Sequence, residues 1–319
     1  MATELKSADA PIFLVGATGT GKSAAAMELA RACTNGAAIL AMDAMQVYRG
    51  ADIGTSKPTA AERAEVPHGG LDLAEFGASA PAVGSNVRFD VAHYLRHAAA
   101  FLREQREAGR RVIVVGGTGL YFRALTRGLC EAPQGSEELR RELGALSVAE
   151  LRERLRKIDP AMLERLDASN PRRLARAIEV KEATGRSLRE WQEETPAPLV
   201  REFTAVWIQR GKAELSQRIE GRVEAMFSQG WVEEVRGLVE RYGVEAVRAF
   251  PGIGYREIGE LSGSGRSPTL EEEVKRSIVA ATRQYAKRQL TWFAREPNLQ
   301  AVMLTGNQVL RTAVLTDLL

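Results

Sequence analysis

Residues Gly16-Ala17-Thr18-Gly19-Thr20-Gly21-Lys22-Ser23 fit the pattern G-x-x-x-x-G-K-[ST], and their surroundings restrict the fold more than any other feature of the chain. Upstream, Pro11-Ile12-Phe13-Leu14-Val15 is a short apolar run. Downstream, Ser23 to Ala32 carries Ala, Met and Leu at helical spacing. Strand, glycine loop and helix in that order build a phosphate cradle: loop N–H groups converge on phosphate oxygens and the helix adds its positive end. Lys22 supplies a point charge and Ser23 a hydroxyl suited to Mg²⁺. The candidate phosphate-binding residues are therefore Gly16, Thr18, Gly19, Thr20, Gly21, Lys22 and Ser23, with Ser23 the candidate metal ligand. The loop does not name its ligand, because a nucleoside triphosphate and any other pyrophosphate fit the same cradle.

Two more apolar runs read as strands: Ala37 to Met42, ending at Asp43, and Arg111 to Val115, ending in Gly116-Gly117-Thr118-Gly119. Fully apolar strands alternating with helices imply a parallel sheet covered on both faces, with ligands gathered outside the carboxyl ends of the strands. From about Gly135 to Glu194 strand signals vanish and Arg- and Glu-rich helices take over. Ser147 to Glu150 is a capping box, Asn170-Pro171 opens a further helix, and Gly185 closes it. Thr195-Pro196-Ala197-Pro198 reads as a linker and Phe203 to Ile208 as a returning strand. Helices are expected to fill the remainder, broken at Pro251 to Gly254 and at Gly263-Ser264-Gly265. The expected fold class is α/β: a P-loop kinase-like parallel sheet with helices on both faces, spanning 8–134 and 199–319, plus an all-helical insertion at 135–198.

Composition narrows the chemistry. The 319 residues are 45% hydrophobic and 27% charged, as in ordinary globular proteins. Only Cys33, Cys130, His68, His93 and His97 are available as soft ligands, and their spacing excludes a zinc finger, an ordinary iron–sulfur site and a disulfide framework. The three histidines are expected to be structural or surface residues, and Met27 and Met226 core residues. Any metal is expected to be a hard cation recruited with phosphate, such as Mg²⁺. No apolar run approaches the roughly 18 residues of a membrane span, and Met1 to Pro11 lack the features of a signal peptide, so the expectation is a cytoplasmic protein that does not engage membranes. Arginine makes up 36 of the 44 basic residues, and its planar fork suits phosphate and base edges as well as ordinary surface ion pairs. The third strand ends in glycines rather than the acidic residue of a Walker B strand, and no Asn-Lys-x-Asp motif occurs, so a hydrolytic nucleotide switch is not expected.

Asp43 puts a carboxylate at a strand end across the sheet mouth from the phosphate loop. A strand-end aspartate is also an ordinary turn or capping residue, so its neighbours decide. Asp43-x-x-Gln46-Val47-Tyr48 and Asp52-Ile53-Gly54-Thr55-x-Lys57-Pro58 resemble the signature of the tRNA dimethylallyltransferases, the tRNA isopentenyltransferase family. Gly116-Gly117-Thr118-Gly119-Leu120-Tyr121-Phe122, Pro171-Arg172-Arg173-Leu174-x-Arg176 and Gly252-x-Gly254-Tyr255-Arg256 match in order, as does Thr282-Arg283-Gln284-x-Ala286-Lys287-Arg288-Gln289-x-Thr291-Trp292. Between His68 and Tyr94 the chain departs from the pattern, with Phe89-Asp90 standing where Tyr-Ser is expected.

The resemblance implies transfer of the dimethylallyl group of dimethylallyl diphosphate to the exocyclic amine of the adenosine 3′ of the anticodon. On that reading the loop and Lys22 hold the diphosphate with Mg²⁺, and Arg222 is a weaker candidate for the same task. Asp43 is the general base, with Thr118 and Arg140 as further catalytic candidates. The tRNA-contacting candidates are Asp43, Ala44, Met45 and Gln46, then Arg172, Arg173, Leu174, Ala175 and Arg176, then Gly252, Ile253, Gly254, Tyr255 and Arg256, and finally Arg283 and Lys287. Tyr255 or Arg256 is expected to stack on a base, Trp292 to be core, and a flipped-out adenosine to meet Asp43 to Gln46. Arg172, Arg173 and Arg176 oppose the helix dipole and are expected to contact RNA, the alternative being a solvated face paired with Glu179 or Glu182. The insertion is expected to help clasp the anticodon stem-loop of a tRNA bound by a monomer. Three other readings remain open on the residues: a small-molecule or nucleoside kinase, an isopentenyltransferase using free AMP, and a non-catalytic RNA-binding P-loop protein.

Overall fold

The computed structural model describes residues 10–79, 89–261 and 268–306. The amino-terminal segment 1–9, the 80–88 part of the stretch that departs from the family pattern, and the Gly263-Ser264-Gly265 break lie outside the described residues. In chain order the elements begin with β1 (Ile12–Gly16), α1 (Lys22–Ala32), β2 (Ala37–Met42), α2 (Ala60–Glu65) and β3 (His68–Gly69). A short turn of 3-10 helix at Phe76–Ser79 follows, then α3 (Val91–Glu107), β4 (Arg111–Gly116) and α4 (Gly119–Arg127). Five helices come next: α5 (Glu137–Ala145), α6 (Val148–Ile158), α7 (Pro160–Arg165), α8 (Pro171–Thr184) and α9 (Leu188–Glu193). The chain then returns through β5 (Thr204–Arg210), α10 (Lys212–Ser228), α11 (Trp231–Tyr242), α12 (Val244–Ala249), α13 (Tyr255–Leu261), α14 (Pro268–Phe293) and β6 (Gln300–Leu304). Described residues up to Ala124 and from Val200 onward form one compact unit, and Leu125–Leu199 a second.

The first unit is built on a parallel sheet of order β3-β2-β4-β1-β5-β6. Its central strands β1 and β2 are buried along their whole length and β4 from Val112 onward, as a sheet covered on both faces requires. On one face Ile12 and Leu14 pack with Ala25, Ala26 and Leu29 of α1 and with Ile39 and Ile113. Phe13, one residue out of phase, packs edge-on against Phe122 at 5.4 Å and Phe203 at 5.2 Å. That alternation is why the first strand can be apolar throughout and still have a unique register. Met27 and Met226 are core residues, as their helical spacing implied.

Two strands escaped the sequence reading. β3 has two residues, and β6, although Ala301 to Leu304 are apolar in sequence, is largely exposed and buries only Leu304. β6 corrects the expectation of helices alone after the fifth strand: it pairs parallel with β5, Val206 opposite Gln300.

The second unit has its own core of Leu143, Leu151, Leu155, Leu174, Ile178 and Val180. Its helix ends follow the sequence signals closely. Ser147 and Glu150 form a reciprocal capping box, the Asn170 side chain accepts from the Arg172 and Arg173 N–H groups, and Gly185 closes α8 at φ 71°.

At the mouth of the sheet, Gly116 passes so close to β2 that a Cβ there would lie 2.0 Å from the Met42 carbonyl oxygen. Gly116→Ala is expected to force β4 away from β2 and lower stability by about 3 kcal/mol, measured by urea denaturation. A loss under about 1 kcal/mol would show that the strands separate freely there.

Candidate active site

Val15 pairs with Gly116, and Gly116 pairs with Met42 on its other side. The phosphate loop, the Gly117-Thr118 turn and Asp43 therefore leave three adjacent strands at one level. Sheet order alone brings these three motifs together, although 27 to 101 residues separate them in sequence.

In the loop, three donors converge on the Ala17 carbonyl: the Thr20 hydroxyl at 2.8 Å, the Thr20 N–H at 3.4 Å and the Lys22 ammonium at 2.7 Å. Thr20 is fully buried, so its hydroxyl braces the loop and does not face the mouth. Ser23 is exposed in the first turn of α1. From below, Arg218 Nε donates to the Gly19 carbonyl at 3.0 Å and Arg210 Nε to the Thr20 carbonyl at 2.9 Å. Arg210 is itself held by Glu214.

Lys22 is pushed down to about 7 from its ordinary 10.5, first by burial and then by the like charge of Arg222, against a smaller pull from Asp43. Burial lowers Arg222 as well, with Asp43 opposing. Two cations close together, Lys22 at the start of α1 and Arg222 on α10, with a single carboxylate nearby, make an arrangement that suits an anion.

Asp43 follows directly on β2. Its Oδ1 accepts from the N–H groups of Met45 at 2.8 Å and Gln46 at 3.4 Å, leaving Oδ2 without a hydrogen-bond partner among the described residues. Thr118 supports this turn: its hydroxyl accepts from the Ala44 N–H at 3.2 Å, and its own N–H donates to the Met42 carbonyl at 3.4 Å. Gln46 donates to the Thr55 and Ser56 carbonyls at 3.0 and 3.1 Å. Tyr94, Tyr121 and Tyr285 all feel the Asp43 charge. Burial raises each phenol first, Tyr285 to about 12, so all three are neutral hydroxyls at pH 7. Tyr94 and Tyr121 stack at 4.1 Å, and Tyr94 anchors to the Ala41 carbonyl.

Other candidates are placed differently from expectation. Tyr255 is fully buried and donates to Glu234 Oε1 at 2.8 Å, so its ring cannot stack on a base. Glu234 in turn accepts from the N–H groups of Asp52 at 2.9 Å, Ile53 at 2.6 Å and Gly54 at 3.3 Å. The Gly252-to-Arg256 motif therefore braces the Asp52-to-Gly54 motif, leaving Arg256 exposed and Ile253 partly covered. Arg283 pairs with Glu220, while Lys287 is exposed. Trp292 is half-buried rather than core, with the Arg123 guanidinium 4.5 Å above its ring.

Within the helical unit, Arg140, Arg172 and Arg173 are exposed. Arg140 donates to Gln134 at 3.3 Å. Leu174 is core and Ala175 half-buried. Arg176 donates to the Ala132 and Pro133 carbonyls and to Glu179, so it follows the ion-paired alternative; Glu182 is bound by Arg154 instead. The three histidines are structural: His68 contacts the Val66 carbonyl, His97 accepts from the Gly70 N–H, and His93 pairs with the helix-capping Asp90.

Comparisons with known proteins place the chain in a family. The sequence profile of the IPP transferase family matches residues 46–296, and that of isopentenyl transferases matches residues 11–67. The chain belongs to the IPP transferase family. A tRNA dimethylallyltransferase of Methylacidiphilum infernorum is 45% identical over 287 residues, 90% of this chain and 83% of that one. The crystal structure of a full-length tRNA isopentenylpyrophosphate transferase from Bacillus halodurans superposes with a TM-score of 0.67 at 29% identity, covering 97% of this chain and 94% of that one. A eukaryotic dimethylallyltransferase acting on tRNA shares the fold, with a TM-score of 0.75 at 22% identity over 92% of this chain and 74% of that one. The resemblance read from the motifs is borne out, as is the α/β fold. No helix among the described residues is long and apolar enough to cross a membrane.

For this member of the IPP transferase family, Lys22 carries a pH signature. With Lys22 near 7, about half of the free protein holds it neutral at pH 7. A bound anion raises it again, so binding takes up a proton and affinity falls as pH rises through about 7 toward the ordinary 10.5. Calorimetry with inorganic diphosphate in buffers of different ionisation enthalpy is expected to show about half a proton more uptake at pH 7 than for Lys22→Met, approaching about one at pH 8. Equal uptake by both proteins would remove Lys22 from the anion site.

Proposed function

We propose that the protein transfers the dimethylallyl group of dimethylallyl diphosphate to the exocyclic N6 amine of the adenosine 3′-adjacent to the anticodon in tRNA, releasing diphosphate. The observation that carries this reading is the pairing of an anion-deficient phosphate loop after β1 with an open carboxylate oxygen after β2, on either side of the β4 end. Lys22, Arg222 and the loop N–H groups bind the diphosphate. Asp43 Oδ2 accepts the amine proton as nitrogen bonds to the allylic carbon, and the carbon–oxygen bond breaks with its electrons leaving on the diphosphate. The neutral phenols of Tyr94, Tyr121 and Tyr285 leave the Asp43 carboxylate without a competing anion in their direction.

The donor set suits a hard cation: an exposed Ser23 hydroxyl beside the phosphate loop, and no cluster of three or more His, Cys, Asp or Glu among the described residues that would hold a metal alone. Ser23 would hold Mg²⁺ jointly with the diphosphate, where the ion would offset charge on the leaving group. The adenosine must leave the anticodon-loop stack to reach Asp43, at a cost of about a few kcal/mol. Arg172 and Arg173 carry the phosphate contacts of the helical unit, whereas Arg176 holds that unit together.

A kinase reading finds no acidic residue at the end of β4, which closes in Gly116-Gly117. The deciding experiment is transfer of labelled dimethylallyl to unmodified tRNA with Mg²⁺, with AMP, and ATP plus nucleosides, run alongside. Label on the anticodon-loop adenosine is expected; label on AMP alone would change the acceptor, and ATP consumption without prenyl transfer would replace the reading by a kinase.

Asp43→Ala is expected to keep tRNA binding within about 3-fold and to lose at least ~10²-fold in turnover. Unchanged turnover would end its assignment as the base. Arg173→Ala is expected to weaken tRNA binding and flatten its salt dependence by about one unit of slope. Arg176→Ala should instead lower stability by about 2 kcal/mol, because it removes the partner of the buried Glu179 Oε2 and leaves that carboxylate only the Gly135 N–H on Oε1. If the two variants behave alike, the division between them is wrong.

A further inference from the structure

Gln289 lies on α14, outside every loop that forms the sheet mouth, and is 6% exposed. Both ends of its amide are bound to backbone far away in sequence. Oε1 accepts from the Thr18 N–H at 2.9 Å, and Nε2 donates to the Gly117 carbonyl at 2.9 Å. Thr18 sits in the middle of the phosphate loop. Gly117 precedes Thr118, whose hydroxyl holds the Ala44 N–H beside Asp43. One buried side chain thus bridges the loop that takes the leaving group and the turn that carries the base.

The bridge depends on its surroundings. A Cβ on Gly117 would lie 2.1 Å from Nε2, so only glycine admits the glutamine at this distance. Three residues along α14, Trp292 lies equally close to Gly119, where a Cβ would meet its Nε1 at 2.2 Å. Tyr285, about one turn back, neighbours Thr118, Gln289 and Asp43. One partner of Gln289 is a donor and the other an acceptor, and a neutral carboxamide offers the complementary pair. A carboxylate offers acceptors only, and an apolar isostere offers nothing.

We propose that Gln289 is a positioning residue for the transfer step, fixing the separation between the diphosphate loop and the Asp43 turn. The proposal rests on the prenyl-transfer reading above. Reacting groups held even about 1 Å out of place lose ~10²-fold in rate, and binding of either substrate alone does not require that the two loops keep their spacing.

Two variants test this. Gln289→Leu is expected to lower kcat per active site by about 30- to 100-fold, with tRNA and inorganic diphosphate affinities within about 3-fold of wild type. Active sites are counted by stoichiometric tRNA binding, so partial unfolding reduces the count and leaves kcat per site unchanged. In Gln289→Glu the ionised carboxylate still accepts from Thr18 but opposes the Gly117 carbonyl, whereas the protonated acid donates to it. Its kcat relative to wild type at the same pH is therefore expected to climb as pH falls from about 8.5 to about 6. Kcat per site within about 3-fold of wild type in Gln289→Leu, or a flat ratio in Gln289→Glu, overturns the proposal. If Gln289→Leu does not fold, the pH-dependent ratio alone decides. Absence of prenyl transfer by the wild-type protein overturns the functional reading itself, an outcome separate from wild-type transfer with unimpaired variants.

Discussion

Lys22, a cation at the phosphate loop beside a second cation on α10, Arg222, is the constraint around which the sheet mouth is organised. The two repel each other and burial penalises both, so an anion between them is favoured. Arg210 and Arg218 brace the loop by gripping the Thr20 and Gly19 carbonyls. Those contacts pull carbonyl oxygens down and away from the mouth, which orients the loop toward anions. Arg218 is itself depressed by burial and by the Arg210 charge, so the base of the loop is also rich in positive field.

Around this centre, most polar contacts hold backbone rather than substrate. Glu234 gathers three N–H groups of the Asp52-to-Gly54 loop although burial raises its carboxyl, and Tyr255 donates a fourth hydrogen bond that helps keep the charge there. Lys57 is buried and ties the Tyr48 carbonyl to Asp52 and Asp72 at 2.6 to 2.7 Å. Gln46, within the motif read as an adenosine pocket, donates to the same segment through Thr55 and Ser56. The segment from Asp43 to Asp72 is therefore interlocked by these side-chain contacts, while one Asp43 carboxylate oxygen stays open.

Much of this architecture was legible in the residues. Apolar strands ending in glycine or aspartate announced a parallel sheet with its site at the carboxyl ends, and Ser147, Asn170 and Gly185 marked helix ends through local hydrogen bonding that any sequence displays. β3 was not legible, because a two-residue strand carries no periodicity, whereas β6 had a signal in the apolar run Ala301 to Leu304, too short to tell strand from helix. Arg210 was legible in principle: a charge closing an apolar strand beside β1 is the same signal that drew attention to Asp43. Gln289 had no such signal. A buried glutamine matched to a donor and an acceptor from two distant loops acquires its meaning only from three-dimensional proximity.

The arginines show why motif membership cannot stand in for role. Arg172, Arg173 and Arg176 share one motif and one helix, and all three oppose the helix dipole. Yet Arg176 faces Glu179 and two backbone carbonyls, while Arg172 and Arg173 face solvent. The helical period does not separate them, because Arg172 and Arg173 lie four and three residues before Arg176 and residues so spaced share a face; Arg176 differs because the Ala132–Pro133 backbone and Glu179 lie against it. Tyr255 repeats the lesson at the sheet mouth, where an aromatic ring next to two glycines suggested stacking on a base and proved to be the support of Glu234. In both motifs the residue nearest the core keeps the backbone in place and its neighbours remain available to a ligand. Burial and hydrogen-bond partners separate those two tasks where the motif and the helical period do not.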